Sequence, residues 1–318
     1  TINDGNTLSS ATTMLPDLAQ LHYNSSGNSF ATGSLDPSNI VLTSTLVDME
    51  VVQQTAIVYR NGKTIAYLPN SFDNRLTAYN LTDNLNLWTT VLGGFVESTP
   101  YVDNGIIYIG DYTPTFYALD QDTGNILWTF TPDDTISGGN IDSNSSLVFF
   151  SDYGYGGTTK FYAVDKTTHT LAWSYSVAQT TFISFSLDKI NNIVYVSSDD
   201  EVSAFNASSG DLIWRNVIGK GYITKQPVIA EDKLVIGADQ ALVVLNRFDG
   251  TNVWYEDYIG AEQGVGASPA VYKNFVYYPT KGDGSIYARS LDNGSLLWSH
   301  TLGIGTFSSP VITQEGYM

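Results

Sequence analysis

Three histidines, five recurring aspartates and one run of three acids are the residues of this 318-residue chain whose types could do chemistry. His22, His169 and His300 stand far apart, and no two have the spacing of metal ligands. No Gly-x-Ser-x-Gly elbow is present to expose a nucleophilic serine. Asp199-Asp200-Glu201 is the densest acidic cluster. Paired carboxylates do general acid–base work only where they converge in a cleft. This run joins two strand-like segments, so it reads as a solvated loop. Asp111, Asp152, Asp199, Asp239 and Asp283 recur at the ends of corresponding strand-like runs. That recurrence reads as turn chemistry, with side-chain oxygens bonding local N–H groups. A Ca²⁺ ion at one such turn is the metal chemistry this pattern admits, because hard cations favour clustered oxygens. Cysteine is absent, which removes thiolate nucleophiles, disulfides and Cys-ligated zinc together. The residues therefore point away from catalysis and toward the framework that carries them.

That framework is acidic and aromatic. Lys and Arg number 14 against 32 Asp and Glu, for a net charge of −18, and aromatic residues make up 13% of the chain. Nucleic-acid binding is excluded as a main role, because neutralising phosphates needs clustered Lys and Arg. No apolar run approaches the length of about 20 residues that a membrane-spanning helix needs. The apolar content is that of a folded domain.

The elements come in repeats. The six tryptophans are Trp88, Trp128, Trp173, Trp214, Trp254 and Trp298, spaced by 40, 45, 41, 40 and 44 residues. A period in this range signals a propeller or similar array. Ten residues before each Trp stands a small apolar residue: Ala78, Ala118, Ala163, Ala204, Val244 and Ala288. Between them lies a turn, clearest in Asp120-Gln121-Asp122-Thr123-Gly124-Asn125. Gly or Asn there supplies positive φ for a tight hairpin. Thr168-His169 is the exception and predicts a slightly different turn. Thr99-Pro100, Gln226-Pro227, Ser268-Pro269 and Ser309-Pro310 open copies of the repeat, where Pro can start a strand. Alternating apolar runs follow, and four hairpin-linked strands per copy make one blade. Each Trp is predicted to fill the wedge between neighbouring blades.

The ends set the blade count. Asn39-Ile40-Val41-Leu42-Thr43 echoes Asn125-Ile126-Leu127-Trp128-Thr129, with Leu42 in the Trp place, and Leu35-Asp36 echoes Leu119-Asp120. Ser309-Pro310-Val311-Ile312 opens a further copy without a Trp. The expected fold is all-β: a single seven-bladed propeller of four-stranded antiparallel blades over 31–318. One composite blade closes it with strands from both ends. A longer natural chain would allow eight blades. Residues 1–30 are expected to form an arm or irregular segment.

The motif Ala118-Leu119-Asp120-Gln121-Asp122-Thr123-Gly124-Asn125-Ile126-Leu127-Trp128 resembles the PQQ-like, or quinoprotein-type, propeller repeat family. The resemblance covers about 35–318. The copies at Ala78, Ala163, Ala204 and Ala288 keep Ala and Trp with altered turns, and Val244 keeps the spacing. The family includes cofactor-using dehydrogenases and cofactor-free scaffolds, so the fold alone does not assign a function. The dehydrogenase branch implies a quinone held on the axis with a cation, and often an adjacent-cysteine disulfide that this chain cannot form. Lys220, Lys225 and Lys281 are the basic residues near strand starts that could meet quinone carboxylates.

The expected function is accordingly non-catalytic: a secreted or cell-surface scaffold for protein–protein interaction or self-assembly, with no cofactor and no catalytic residue. A bacterial periplasmic or outer-membrane assembly scaffold is the first alternative, and a quinone-dependent oxidoreductase the second. Asn24, Asn80, Asn144, Asn206 and Asn293 begin Asn-x-Ser/Thr sequons. The last four fall in turns expected to be accessible. The loop Asp152-Tyr153-Gly154-Tyr155-Gly156-Gly157 could contact glycans or a partner protein.

Overall fold

The structure is a computed structural model. It describes Phe30–Ala31 and residues 55–136, 140–154, 157–177, 183–223, 225–258, 264–303 and 309–313. Among these residues there is no helix, and the chain forms six four-stranded antiparallel sheets. Each sheet is a meander whose strands pair in sequence order. The first comprises Ala56–Arg60, Lys63–Asn70, Arg75–Asn80 and Leu85–Val91; the second, Tyr101–Asp103, Ile106–Asp111, Thr115–Asp120 and Ile126–Phe130. The third runs through Asp142–Ser143, Leu147–Ser151, Thr159–Asp165 and Leu171–Val177; the fourth through Ile183–Asp188, Ile193–Ser198, Glu201–Asn206 and Leu212–Val217. The fifth holds Val228–Ala230, Lys233–Gly237, Ala241–Asn246 and Asn252–Asp257; the sixth, Ala270–Tyr272, Phe275–Pro279, Ser285–Ser290 and Leu296–Thr301.

Burial follows strand order. The second and third strands of the second to fifth blades are almost wholly buried, as in Ile193–Ser198 and Glu201–Asn206, because neighbouring blades cover both their faces; those of the first and sixth are more open. Strands buried on both faces read as continuous rather than alternating apolar runs. The fourth strands alternate or lie open. Among the described residues the core is divided into five clusters, each shared by two consecutive blades. One joins Tyr67 and Leu76 of the first blade to Ile107 and Leu119 of the second. Another joins Tyr195 and Trp214 of the fourth blade to Leu234 and Val243 of the fifth. No blade has a core of its own, which is the energetic signature of a repeat array.

The ten-residue Ala-to-Trp spacing is a register. Ala78 pairs directly with Trp88, Ala118 with Trp128, Ala163 with Trp173, Ala204 with Trp214, Val244 with Trp254 and Ala288 with Trp298. In every blade the register shifts immediately after this pair. A bulge adds twist and re-aims the side chain beyond it. The turn between the two strands is capped by its own first side chain. Asp120 Oδ1 accepts the Asp122 and Thr123 amides, and Gly124 N–H returns to the Asp120 carbonyl at 2.9 Å.

His169 departs from its expectation. Its φ of +59° and its N–H to the Asp165 carbonyl at 2.8 Å reproduce the Gly124 turn, so the hairpin is the same. The left-handed strain is tolerated because the imidazole stacks on Trp128, with centroids 4.8 Å apart.

At the chain ends, Phe30–Ala31 and Ile312–Thr313 form a two-stranded parallel pair. The composite blade was expected to be antiparallel throughout. Strands from opposite ends of a chain are not tied by a hairpin, so nothing local enforces that direction. The echo at Leu35–Thr43, and with it the seventh blade, lies outside the described residues, as do His22, Asn24 and nearly all of the N-terminal arm.

Candidate functional site

The recurring feature with defined geometry is the seam between blades, and the predicted tryptophans are what build it. Trp88 Nε1 donates to the Gln121 carbonyl at 3.1 Å, Trp173 to Ala207 at 3.0 Å, Trp214 to Arg247 at 2.9 Å and Trp254 to Leu291 at 2.8 Å. Each acceptor belongs to the outer turn of the following blade. The turn glycine lies flat on the indole: a Cβ built on Gly124, Gly210, Gly250 or Gly294 would come within 2.7 Å of the preceding blade's Trp ring. Glycine is needed there both for positive φ and for this close approach. At the second seam His169 replaces glycine and covers Trp128 with its own ring. Trp214 is the most enclosed of the six at 8% exposed, while Trp298 of the sixth blade is 40% exposed.

Ion pairs cross the same seams. Arg60 reaches Asp122 at 2.8 Å, Lys166 reaches Asp103 at 2.9 Å, Lys189 reaches Asp142 at 3.1 Å and Lys233 reaches Asp292 at 3.2 Å. Arg247 pairs with Asp188 across the fourth seam. Every seam between described blades thus carries at least one cation–carboxylate contact, and the fifth also carries Lys281–Asp239 and Arg289–Glu256. Sequence reasoning missed these pairs, since the partners lie some tens of residues apart and the sign order is not constant from seam to seam. Burial drives Tyr101 and Asp142 upward in pKa; the hydrogen bond between them adds to the rise at Tyr101 and opposes it at Asp142.

The recurring aspartates behave as turn anchors. Asp111 accepts the Tyr117 hydroxyl at 2.8 Å and the Gly94 amide at 2.9 Å. Asp152 accepts the Tyr162 hydroxyl and the Lys160 amide, both at 2.7 Å. Asp283 accepts the Tyr287 hydroxyl at 2.5 Å. Burial raises the Asp111 and Asp152 pKa values despite these hydrogen bonds. Donors aimed at these oxygens do not suit a cation. Among the described residues no group of three His, Asp or Glu side chains could hold a metal ion. The tyrosine partners had a signal in the sequence: each lies near the start of the strand that follows its aspartate.

The Asp199-Asp200-Glu201 run is a tight turn rather than a solvated loop. Asp199 has φ of +53°, and its carbonyl accepts the Ile223 amide at 2.5 Å. Glu201 opens a strand, is buried, and accepts the Tyr175 hydroxyl and Arg215 Nε, both at 2.7 Å. Burial, then Asp200 and Glu201, raise the Asp199 pKa.

Of the three lysines, Lys225 and Lys281 lie near each other and Lys220 stands apart. Lys220 pairs with Asp257 at 2.8 Å on an outer strand and lies over the Tyr255 ring. Lys281 is held by Asp239 at 2.7 Å. Lys225 is partly buried, and its pKa falls through burial and then through the nearby Lys281 charge. One carboxylate already answers this pair, so the set does not fit a quinone bearing several carboxylates.

Among the sequons, Asn80 corrects its expectation. It is 3% exposed, because its side chain caps the outer turn as Asp120 does, accepting the Thr82 and Asp83 amides. Asn206 caps the equivalent turn and Asn144 caps another, both half-buried; Asn293 is exposed. In the Tyr-Gly loop, Tyr155 and Gly156 lie outside the described residues.

Blades docked through one tryptophan each define a β-propeller of PQQ-like repeats. The chain belongs to the family described as outer membrane protein assembly factor BamB, whose profile matches residues 41–191 and 187–311. It is 23% identical over 260 residues to an outer membrane protein assembly factor BamB from Burkholderia pseudomallei, covering 74% of this chain and 65% of the relative. It is 21% identical to the protein of that name from Yersinia pestis, covering 80% and 63%. The match thus spans somewhat less than two thirds of these relatives' length. Among solved structures, BamB from Moraxella catarrhalis superposes with a TM-score of 0.62 at 14% identity, covering 80% of this chain and 78% of that one. A quinohemoprotein alcohol dehydrogenase from Comamonas testosteroni superposes at 0.58 and 12% identity, covering 83% and 69%. These superpositions show a shared fold and nothing about activity.

Proposed function

We propose that the chain is a non-catalytic protein-binding scaffold of the outer-membrane assembly type, working in the periplasm of a bacterium. The observation that carries this reading is the family match, which runs through both halves of the chain. Of the two settings expected from the sequence, the relatives' names support this one over a generic secreted or cell-surface scaffold. The polar groups named above are spent on the fold itself: aspartates on tyrosines, lysines on aspartates, indoles on carbonyls. That leaves the surface as the working part. We read no quinone and no Ca²⁺ in it.

The surface has a feature suited to protein contact. Every outer strand exposes an apolar side chain at one or both positions before its tryptophan, including Leu87, Leu127, Leu171, Ile213, Val253 and Leu297. Repeated apolar exposure on an otherwise acidic molecule marks surfaces that meet other proteins. Photo-crosslinking residues placed at Leu127 and Ile213 in the source cells test the proposal. Adducts with envelope proteins that insert outer-membrane barrels are expected. Adducts confined to cytoplasmic proteins, or none above those of a buried control position, would refute it.

A further inference from the structure

We infer that Tyr258 and Tyr278 form an oxidative cross-linking site, at which a one-electron oxidant couples the two rings and so joins the fifth and sixth blades covalently. The inference is independent of the functional reading. The sequence sets its condition. The chain has no cysteine and three methionines against 21 tyrosines. Thiols and thioethers are the usual first sinks for oxidants. Where they are scarce, electrons are drawn from phenols and indoles, and geometry decides which phenols couple.

The fifth seam supplies that geometry. Tyr258 follows Asn252–Asp257, the outer strand of the fifth blade, and its amide is held by the Gln240 carbonyl at 2.7 Å. Tyr278 lies in Phe275–Pro279, the second strand of the sixth blade, and is wholly buried. The two hydroxyl oxygens are 2.6 Å apart, and the rings meet edge to face at 68° with centroids 6.4 Å apart. A shared hydroxyl contact brings together the ring carbons that flank the phenol oxygens. Those ortho carbons carry much of the spin in a phenoxyl radical. Arg289 fixes the arrangement. Its Nε donates to the Tyr278 hydroxyl at 2.9 Å, its Nη1 to the Gly294 carbonyl at 2.8 Å and its Nη2 to Glu256. The stacked pair Tyr101–Tyr108 differs, because Tyr101 gives its hydroxyl to Asp142.

Tyr287 connects the pair to the surface. It is half-buried, stacks on Tyr278 at 5.6 Å and 17°, and has its ring centroid 6.2 Å from that of Tyr258. Its hydroxyl donates to Asp283 at 2.5 Å, so a carboxylate stands ready for the phenol proton as the electron leaves. An oxidant at the surface therefore need not reach Tyr278. Two equivalents of a one-electron oxidant, of the peroxide-derived radical class, take one electron from each of Tyr258 and Tyr278. One carbon–carbon bond forms between the ortho carbons, one ortho C–H bond breaks on each ring, and two protons pass to water. Both hydroxyls are kept, and each oxidant equivalent is reduced by one electron.

The test illuminates the full chain with tris(bipyridyl)ruthenium and persulfate, then digests and maps it. The expected product is a Tyr258–Tyr278 cross-linked peptide pair within one molecule, lighter by two hydrogens and with the blue emission of dityrosine. Denaturing the chain before illumination should abolish this product. Tyr258→Phe and Tyr278→Phe each keep the ring, remove the hydroxyl and should also abolish it. Tyr287→Phe should slow its formation several-fold and leave its position unchanged. In the folded, unsubstituted chain, coupling only at other tyrosines, coupling only between molecules, or oxidation confined to tryptophans would overturn the inference. That mapping does not depend on any variant folding.

Discussion

The Trp214 indole N–H is bonded to the Arg247 carbonyl 2.9 Å away in the next blade, and Arg247's guanidinium reaches back to Asp188 in the blade that carries Trp214. One residue is therefore held twice across the same boundary, once by its main chain and once by its side chain. Each blade buries its strands only by pressing on its neighbours, so such contacts determine whether the array holds together.

Trp214→Ala should destabilise the protein by about 3–5 kcal/mol, the range for removing a large buried aromatic. Trp298→Ala, at a ring that is 40% exposed, should cost clearly less. Denaturant unfolding of the two variants compares the costs.

The seam glycines should resist substitution. Gly250 has φ of +72°, and an added Cβ would meet Trp214 at 2.5 Å. Gly250→Ala therefore combines left-handed strain with overpacking and should cost about 2–4 kcal/mol. His169→Gly should be nearly neutral, because the backbone is already left-handed there and only the stacking on Trp128 is lost. Melting temperatures of both variants check the contrast.

The ion pairs should differ by burial. Asp188 and Arg247 are 6% and 13% exposed, so Asp188→Ala strands a buried guanidinium and should cost about 3–5 kcal/mol. The exposed Arg60–Asp122 pair should be worth about 0–1 kcal/mol in a double-mutant cycle. A larger coupling at the exposed pair would contradict the assignment of strength to burial.

Asp152 should give the fold a recognisable pH dependence. Its folded pKa is raised, chiefly by burial, above the unfolded value. Its favourable contribution is then complete below the unfolded pKa, near 4, and is lost as pH rises through the folded value. Relative to Asp152→Asn, the parent chain should gain stability as pH falls from 7 toward 4. A difference in unfolding free energy that is flat, or that grows the other way, would show the carboxylate is not desolvated.

The sequence made the repeat legible because tryptophan is rare and each copy uses it once, in register with a small residue on the neighbouring strand. The Ala118–Trp128 pairing followed directly from spacing. The turn roles of Asp111 and Asp152 were legible from their recurrence. The buried state of Glu201 and Asn80 was not: both look like turn residues, and only the tertiary partners of the first and the capping geometry of the second take them out of solvent. The identity of His169 misled for the opposite reason, since backbone hydrogen bonds and Trp128 impose the glycine conformation on it. The cross-seam ion pairs had no local pattern to read.

The central claim is that this propeller serves outer-membrane assembly as a binding scaffold. Deleting its gene in the source organism and quantifying envelope β-barrel proteins tests that most directly. The account predicts a fall in several barrel proteins together, restored by the intact chain and by a variant altered at Lys225 and Lys281. An unchanged barrel content after deletion, or a dependence on those two lysines with loss of a quinone-linked oxidation, would contradict it.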